Sequence, residues 1–255
     1  MFIGDLKMTR IVAILSAYGL VTVLPIFFVF QPFFVVDLPG IPIRYGDLLD
    51  LLLTPWIGVG VFALLYVFIP KASDSSTSHK NLYRVLFFAF SVLYVEGHGI
   101  HLAANSIGNN LAANTDARLA LSIFLFDEPI GHLLWLGGAI GLALITVAYQ
   151  TSHTSRDQLS RRQIWLILAS GMLYGVTFGL TIIEGQSALW AGPLVVGALI
   201  VMGIRWLRGS AKWTKRPAST FFVSGFAVLL ATLGVWLLRF GSFVEPSTMF
   251  LQLQP

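Results

Sequence analysis

Long apolar segments dominate this chain and decide what it can fold into. A helix needs about 20 apolar residues to cross the hydrocarbon core of a bilayer. Within a bilayer the backbone has no water to bond with, so such segments form helices. We therefore predict an all-α membrane protein, a single seven-helix transmembrane domain over residues 1–255, with spans at about 11–36, 48–70, 82–107, 129–150, 163–184, 187–207 and 219–240.

Composition favours a membrane protein over a soluble one. Hydrophobic residues make up 56% of the chain and charged residues 11%, whereas soluble domains carry about 25% charged residues. The absence of cysteine excludes disulfides, thiolate metal ligands and a cysteine nucleophile. The apolar run after Lys7 and Arg10 is too long for a signal peptide and lacks a small-residue cleavage site, which favours a retained first span.

Basic residues fall on one side of the predicted topology. All of the 16 Lys and Arg residues except Arg44, Arg118 and Arg239 lie before span one, in the loops after spans two, four and six, or in the span ends that flank those loops. Cytoplasmic loops are enriched in such residues, so we predict a cytoplasmic N-terminus, an extracytoplasmic C-terminus and a multi-pass protein of the cytoplasmic membrane. The basic loops fit topogenic charge and contact with anionic lipid headgroups; they do not indicate nucleic-acid binding.

One connecting segment is itself apolar. The loop 108–128 contains the stretch 117–126, which we expect to lie along the membrane surface or to form a partial helix. An eighth crossing there would place the later basic loops on the wrong side of the membrane. His79 and His153 lie in predicted cytoplasmic loops and are interpreted as solvated, while the seven tryptophans are assigned mainly to packing and to the membrane interface.

Ionisable residues inside the third span form the densest polar group of the sequence. The segment from Glu96 to His101 reads Glu-Gly-His-Gly-Ile-His. At 100° per residue, six polar side chains of this span fall within roughly 80° of arc: Ser91, Tyr94, His98, His101, Asn105 and Asn109. Ionisable groups in a bilayer are costly and usually mark functional sites, so this stripe is expected to face the bundle interior. Glu96 points the opposite way, towards another helix unless the flanking glycines distort the span.

Polar residues of other spans converge at the same outer level. Glu128 and His132 are four residues apart and share a face of span four. They follow Asp127, which is equally a candidate N-cap for that helix. Span five carries a second polar stripe, and span two begins with two carboxylates. The residues of these last two groups are Ser170, Tyr174, Thr177, Thr181 and Glu184 for span five, and Asp47 and Asp50 for span two.

Three histidines among carboxylates predict a metal site. Neutral imidazole is the commonest metal ligand in proteins, and a catalytic zinc has three protein ligands plus water. We expect His98, His101 and His132 to hold a divalent metal, zinc in the first instance, which activates the bound water. Candidates for proton transfer and oxyanion stabilisation are Asp127, Glu128, Glu184, Asn105 and Tyr94. Metal-free acid–base chemistry, haem ligation and structural hydrogen bonding stay open for the same histidines.

This set of residues resembles, in its site chemistry, the seven-helix intramembrane hydrolases of the alkaline ceramidase and adiponectin-receptor group. The resemblance implies a zinc ion held by three histidines, with an aspartate and a serine beside it. That group takes two histidines from an HxxxH in its last helix, whereas span seven here has no histidine and the close pair, His98 and His101, lies in span three. The similarity is therefore one of site type and not of family.

We accordingly expect an integral membrane enzyme that performs metal-dependent hydrolysis or group transfer on a lipid or lipid-linked substrate. Membrane lipids are its expected partners, and homo- or hetero-oligomerisation is left open. Three alternatives remain: a proton-coupled transporter, a haem- or quinone-binding redox subunit, and a non-enzymatic subunit of a membrane complex. A transporter needs a polar path to the cytoplasmic side, where spans three and five supply no acid. The sequence holds no phosphate loop, GxGxxG or GxSxG.

Overall fold

The chain folds into a bundle of long helices. The computed structural model describes residues 2–24, 36–69, 77–112, 115–152, 158–208 and 213–246. In chain order these ranges contain helix α1 (Phe2–Val21), a hairpin of strands β1 (Asp37–Leu38) and β2 (Ile41–Arg44), then α2 (Tyr45–Phe68), α3 (Thr77–Gly108), α4 (Ala117–Leu125), a π-helical turn (Phe126–Gly131), α5 (His132–Ser152), α6 (Arg161–Glu184), α7 (Ala188–Arg208), a short 3-10 turn (Trp213–Lys215) and α8 (Pro217–Phe240).

Six helical segments of the described chain are long and apolar enough to cross a membrane. They are Tyr45–Phe68, Asn81–Gly108, Ala117–Ser152, Arg161–Glu184, Ala188–Arg205 and Pro217–Phe240. Large apolar side chains stand exposed on their outer faces, as expected of helices surrounded by lipid; examples are Trp56, Phe88, Leu189 and Leu238. The protein is thus an all-helical, multi-pass membrane protein, and these segments lie at predicted spans two to seven.

The first predicted span, 11–36, is placed differently in the structure. Helix α1 already begins at Phe2, because charged residues such as Lys7 and Arg10 limit an apolar span but are good helix formers. The helix ends at Val21, and a turn follows ahead of Pro25. Residues 25–35, and with them the kink considered at Pro25, lie outside the described residues. Val36 leads into the β1–β2 hairpin instead of ending a helix.

The fourth predicted span also starts earlier than expected. The apolar stretch 117–126 forms α4, whose N-cap is Asp116: its carboxylate accepts hydrogen bonds from the backbone N–H groups of Arg118 and Leu119, at 2.9 and 3.2 Å. Helix α4 continues without a break through the π-helical turn, which contains Pro129. Proline lacks the N–H that an α-helical ladder needs, and a π-bulge accommodates such a gap. The N-cap alternative for Asp127 is therefore wrong, because the helix has already started.

The approach of α3 to α5 places the histidines and depends on two glycines. A Cβ atom at Gly97 would lie 2.1 Å from the backbone nitrogen of Trp135, and one at Gly138 would lie 2.4 Å from the backbone nitrogen of Tyr94. Small residues at such crossings allow membrane helices to meet backbone to backbone. Helices α6 and α8 form the other extensive contact, and α1 packs along α6.

Adding one methyl group at the α3–α5 crossing should loosen the bundle. We expect Gly138→Ala to destabilise the protein by about 1–3 kcal/mol, the usual cost of overpacking. Gly137→Ala is the matched control, because nothing lies within 4 Å of its added Cβ. Thermal unfolding of both variants in the same detergent, followed by loss of the monodisperse peak in gel filtration, measures the difference. Equal melting temperatures for the two variants would contradict the close crossing.

Candidate functional site

Two histidine–carboxylate pairs meet where α3 crosses the start of α5. The His101 Nδ1 atom lies 2.7 Å from Asp127 Oδ1. Asp127 belongs to the helical segment that continues into α5. About one turn farther along that segment, His132 Nδ1 lies 3.3 Å from Glu128 Oε2 and 3.0 Å from the Glu128 carbonyl oxygen. The two imidazole rings are neighbours, with centroids 4.2 Å apart and planes inclined at 49°. In both rings Nδ1 is the nitrogen that faces the carboxylate, and Nε2 lies on the other side of the ring.

A third pair joins α2 to α3. His98 is fully buried, and its Nε2 atom lies 3.3 Å from the carbonyl oxygen of Asp50 and 3.6 Å from its Oδ1 atom. The Thr54 hydroxyl donates a hydrogen bond to the same carboxylate and helps to fix it. The Nδ1 atom of His98 is buried and has no hydrogen-bond partner among the described residues. Because an unsatisfied buried polar atom is costly, this nitrogen marks a place for a ligand atom.

Trp135 lies among the three imidazoles. Its ring centroid is 5.2 Å from that of His98, 6.1 Å from that of His101 and 6.0 Å from that of His132. The planes of Trp135 and His101 are nearly parallel, at 7°. The indole thus gives the three histidines one shared apolar wall. Sequence reasoning assigned the tryptophans to packing and missed this contact, since only the close crossing at Gly97 brings Trp135 to α3.

The end of α6 closes the cluster on another side. Gly185 follows Glu184, the last residue of α6, and a Cβ atom at Gly185 would lie 2.3 Å from His132 Nε2. The imidazole therefore rests on the backbone of this turn, which only a glycine leaves open. Glu184 was predicted as a site residue; it directly precedes Gly185, and its side chain is half-buried.

Tyr94 and Asn105 lie on either side of the histidines along α3. Tyr94 is buried, with its hydroxyl against Gly58 of α2, where a Cβ would come within 2.6 Å of it. Asn105 is half-buried, and its side-chain oxygen accepts a hydrogen bond of 3.2 Å from the Asn109 amide. The polar stripe of α3 therefore faces inward at Tyr94 and the histidines and reaches the surface at Asn109.

The sequence did not decide whether Asp47 and Glu96 belong to the site, and the structure now places both side chains. The Ser106 hydroxyl donates a hydrogen bond of 2.9 Å to Asp47, which ties α3 to the start of α2. Asp50, which the sequence offered as a further carboxylate for the site, lies beside His98; it is three residues from Asp47 and four from Thr54, so the three share a face of α2. Glu96, in contrast, is exposed on the opposite face of α3, and no ion pair joins it to another helix in the described part of the chain.

The donor types of the cluster suit a divalent cation, although no shared ligand set is formed. Among the described residues, no group of three or more His, Asp or Glu side chains is placed to hold one metal ion. The histidines instead form three adjoining pairs, each with its own carboxylate. Metal-binding histidines usually give their second ring nitrogen to a carboxylate, so the pairs fit the chemistry of such a site. The metal remains a prediction.

Fold and site together define a class: a multi-pass helical membrane protein with a cluster of carboxylate-paired histidines at one end of its bundle. Comparison with known proteins adds no closer assignment. No protein-family model matches the chain, and no match was found among curated proteins or among solved structures. What the cluster does is therefore inferred from its own chemistry.

Exchanging one carboxylate for an amide should change the protonation of His101. A carboxylate only accepts hydrogen bonds and so keeps the proton on Nδ1, whereas an amide both donates and accepts. In the Asp127→Asn variant, with nitrogen-15-labelled histidine, we expect the NMR spectrum to lose the signal of one imidazole that is protonated on Nδ1. Asp116→Asn removes a carboxylate from the α4 cap and leaves the histidine signals in place. Identical histidine spectra for Asp127→Asn and wild type would contradict the pairing.

Proposed function

We propose that this protein is an integral membrane enzyme that catalyses hydrolysis or group transfer on a lipid or lipid-linked substrate. The observation that carries the proposal is the meeting of three carboxylate-paired histidines, His98, His101 and His132, around one tryptophan. A base held in place by a third group is the usual arrangement of acid–base and nucleophilic catalysis. Ionisable side chains at membrane depth are also functional by default.

The two pairs at the start of α5 serve the proton transfer in this proposal. Asp127 lies beside Nδ1 of His101, which leaves Nε2 of that ring to remove a proton from water or from a substrate hydroxyl. His132, whose ring centroid lies 4.2 Å away and whose Nε2 lies against the Gly185 backbone, supports His101 from the side. The remaining roles are hydrogen bonding to the developing oxyanion and proton relay, for which the candidates are Tyr94, Asn105 and Glu184.

A divalent metal, with zinc as the first candidate, is part of the proposal. The residues that would hold it are His98, His101 and His132. Support comes from the carboxylate beside each ring and from His98 Nδ1, which is buried without a hydrogen-bond partner among the described residues. When bound, such an ion lowers the pKa of water towards neutrality and polarises a carbonyl group.

Elemental analysis tests the metal. Wild-type protein purified in mild detergent should carry near-stoichiometric metal, and a folded His98→Ala/His101→Ala variant should have lost it. The control is His79→Ala/His153→Ala, which removes the same number of imidazoles and should retain the metal. His79 lies in the first turn of α3 and not in a loop as predicted, and His153 was predicted in a cytoplasmic loop. Metal-free, well-folded wild type would remove the ion from the proposal and leave the acid–base chemistry of the pairs to be tested by itself.

Lipid analysis tests the enzyme activity. Membranes that contain wild-type protein should gain or lose at least one lipid species relative to membranes that contain His101→Ala, because loss of a general base slows a reaction about 10²- to 10⁴-fold. Glu96→Gln is the matched control, since it changes an ionisable residue of the same helix on the face away from the site. Identical lipid profiles for wild type, His101→Ala and Glu96→Gln would contradict the proposed activity.

We also propose seven crossings of the cytoplasmic membrane, with α1 as the first, the N-terminus inside and the histidine cluster towards the outer face. The support is the concentration of basic residues on one side and the burial of α1 in the same core as the spanning helices. The residues of α1 in that core are Met8, Ile11, Val12, Leu15 and Tyr18.

Cysteine labelling tests the orientation without background, because the natural chain has no cysteine. A membrane-impermeant maleimide applied to intact cells should label Ala112→Cys and Ser242→Cys, which follow α3 and α8. It should label Gln158→Cys, ahead of α6, only after the cells are permeabilised. All three positions are exposed. The reverse pattern, or labelling of all three in intact cells, would contradict the proposed topology.

A further inference from the structure

A cavity lies beside the histidine cluster. It has a volume of about 60 Å³ and lies between α1, α2, α3, α5 and α6. Three residues of its wall also belong to the site: Trp135, which contacts the imidazoles, Thr54, which donates a hydrogen bond to Asp50, and Tyr94. Six of its lining residues carry a hydroxyl group: Tyr18, Thr22, Thr54, Tyr94, Tyr174 and Thr181.

Two buried hydrogen-bond donors on this wall are unsatisfied among the described residues. The Tyr174 side chain is 1% exposed, and its hydroxyl has no hydrogen-bond partner there. Trp135 Nε1 is likewise buried, near the Tyr94 hydroxyl but outside hydrogen-bond geometry. An indole N–H only donates, and a phenol donates readily. Because such groups are costly to bury unbonded, they indicate an oxygen acceptor that arrives with a ligand.

The rest of the lining indicates an uncharged ligand. No charged side chain is among the described residues that line the cavity, which otherwise presents aromatic and aliphatic groups such as Phe178 and Ala139. A phosphate or carboxylate would lose its hydration here without a counter-charge, which is far more costly than burying a neutral oxygen that is hydrogen-bonded. The acceptor is therefore a neutral oxygen, such as a carbonyl.

The cavity also reaches the outer surface of the bundle. Leu24 and Leu53 line it and are 37% and 41% exposed, whereas Tyr94 and Tyr174 line it from the buried core. In a membrane protein that outer surface faces lipid. A molecule can therefore enter from the bilayer with its apolar part against Leu24 and Leu53 and its oxygen towards the core.

We propose that this cavity binds the carbonyl-bearing apolar portion of a neutral lipid, with the Tyr174 hydroxyl and Trp135 Nε1 as donors to the carbonyl oxygen. The proposal rests on the proposed function only in treating this lipid as the substrate, because binding beside Trp135 would hold the carbonyl next to the wall that the histidines share. Two sources offer the same chemistry: the acyl ester of a diacylglycerol and the ring carbonyl of an isoprenoid quinone.

Binding to purified full-length protein in detergent tests the proposal. The probes are a short-chain diacylglycerol, a decyl-substituted benzoquinone and a short-chain phosphatidic acid, with bound lipid counted by native mass spectrometry. One neutral probe should bind saturably, and the arm that binds identifies the source of the carbonyl. Tyr174→Phe should weaken that binding about tenfold, the effect of one lost hydrogen bond. Tyr83→Phe is the matched control, because the Tyr83 hydroxyl is 3.1 Å from Ser152, away from the cavity.

Three results would overturn the cavity assignment: no saturable binding of either neutral probe, equal binding by wild type and Tyr174→Phe, or equal binding of phosphatidic acid. A second measurement uses wild type alone. The infrared band of an isotope-labelled ligand carbonyl should move to lower frequency when the ligand is bound, and an unshifted band would contradict the hydrogen bond. A probe that binds through Tyr174 but is never converted would leave the cavity assigned and count against the proposed activity.

Discussion

The site depends on the backbone contact between α3 and α5. At Gly97 and Gly138 the two helices approach so closely that a single Cβ at either position would collide with the partner's backbone. That approach is what sets His101 of α3 against Asp127 and His132, and Trp135 of α5 against His98. A wider crossing would leave the same residues on one end of the bundle but out of each other's reach, so helix packing here is a condition for the chemistry.

Electrostatics then explains why each imidazole has its own acid. A charge at membrane depth is costly unless it is paired, and the three pairs use three different connections. Glu128 reaches His132 along one helix, Asp127 reaches His101 across the α3–α5 crossing, and Asp50 reaches His98 from α2. Because the last two pairs join separate helices, they also tie α2, α3 and α5 together at this end.

The sequence predicted what depends on local pattern and missed what depends on contacts between helices. Spans two to seven were found because apolar length is a local property. The start of α1 was not, since Lys7 and Arg10 end an apolar run without ending a helix. Asp127 was considered as a cap because the helix start at Asp116 was hidden in a predicted loop. The polar stripe of α3 predicted His98 and His101 by periodicity, and the spacing of four predicted the Glu128–His132 pair within one helix. The partners of His98 and His101 depend on the relative register of different helices, which no single helix encodes.

Trp135 takes part in both the histidine cluster and the proposed lipid-binding cavity. One indole contacts all three imidazoles and also lines the cavity where a neutral carbonyl would be bound. Its backbone lies against Gly97, so the close α3–α5 crossing holds the Cα atom of Trp135 beside the histidines. Under the proposed function, recognition of the lipid and orientation of the bases would therefore use the same side chain, and a substrate entering from the bilayer would find the histidines already in place.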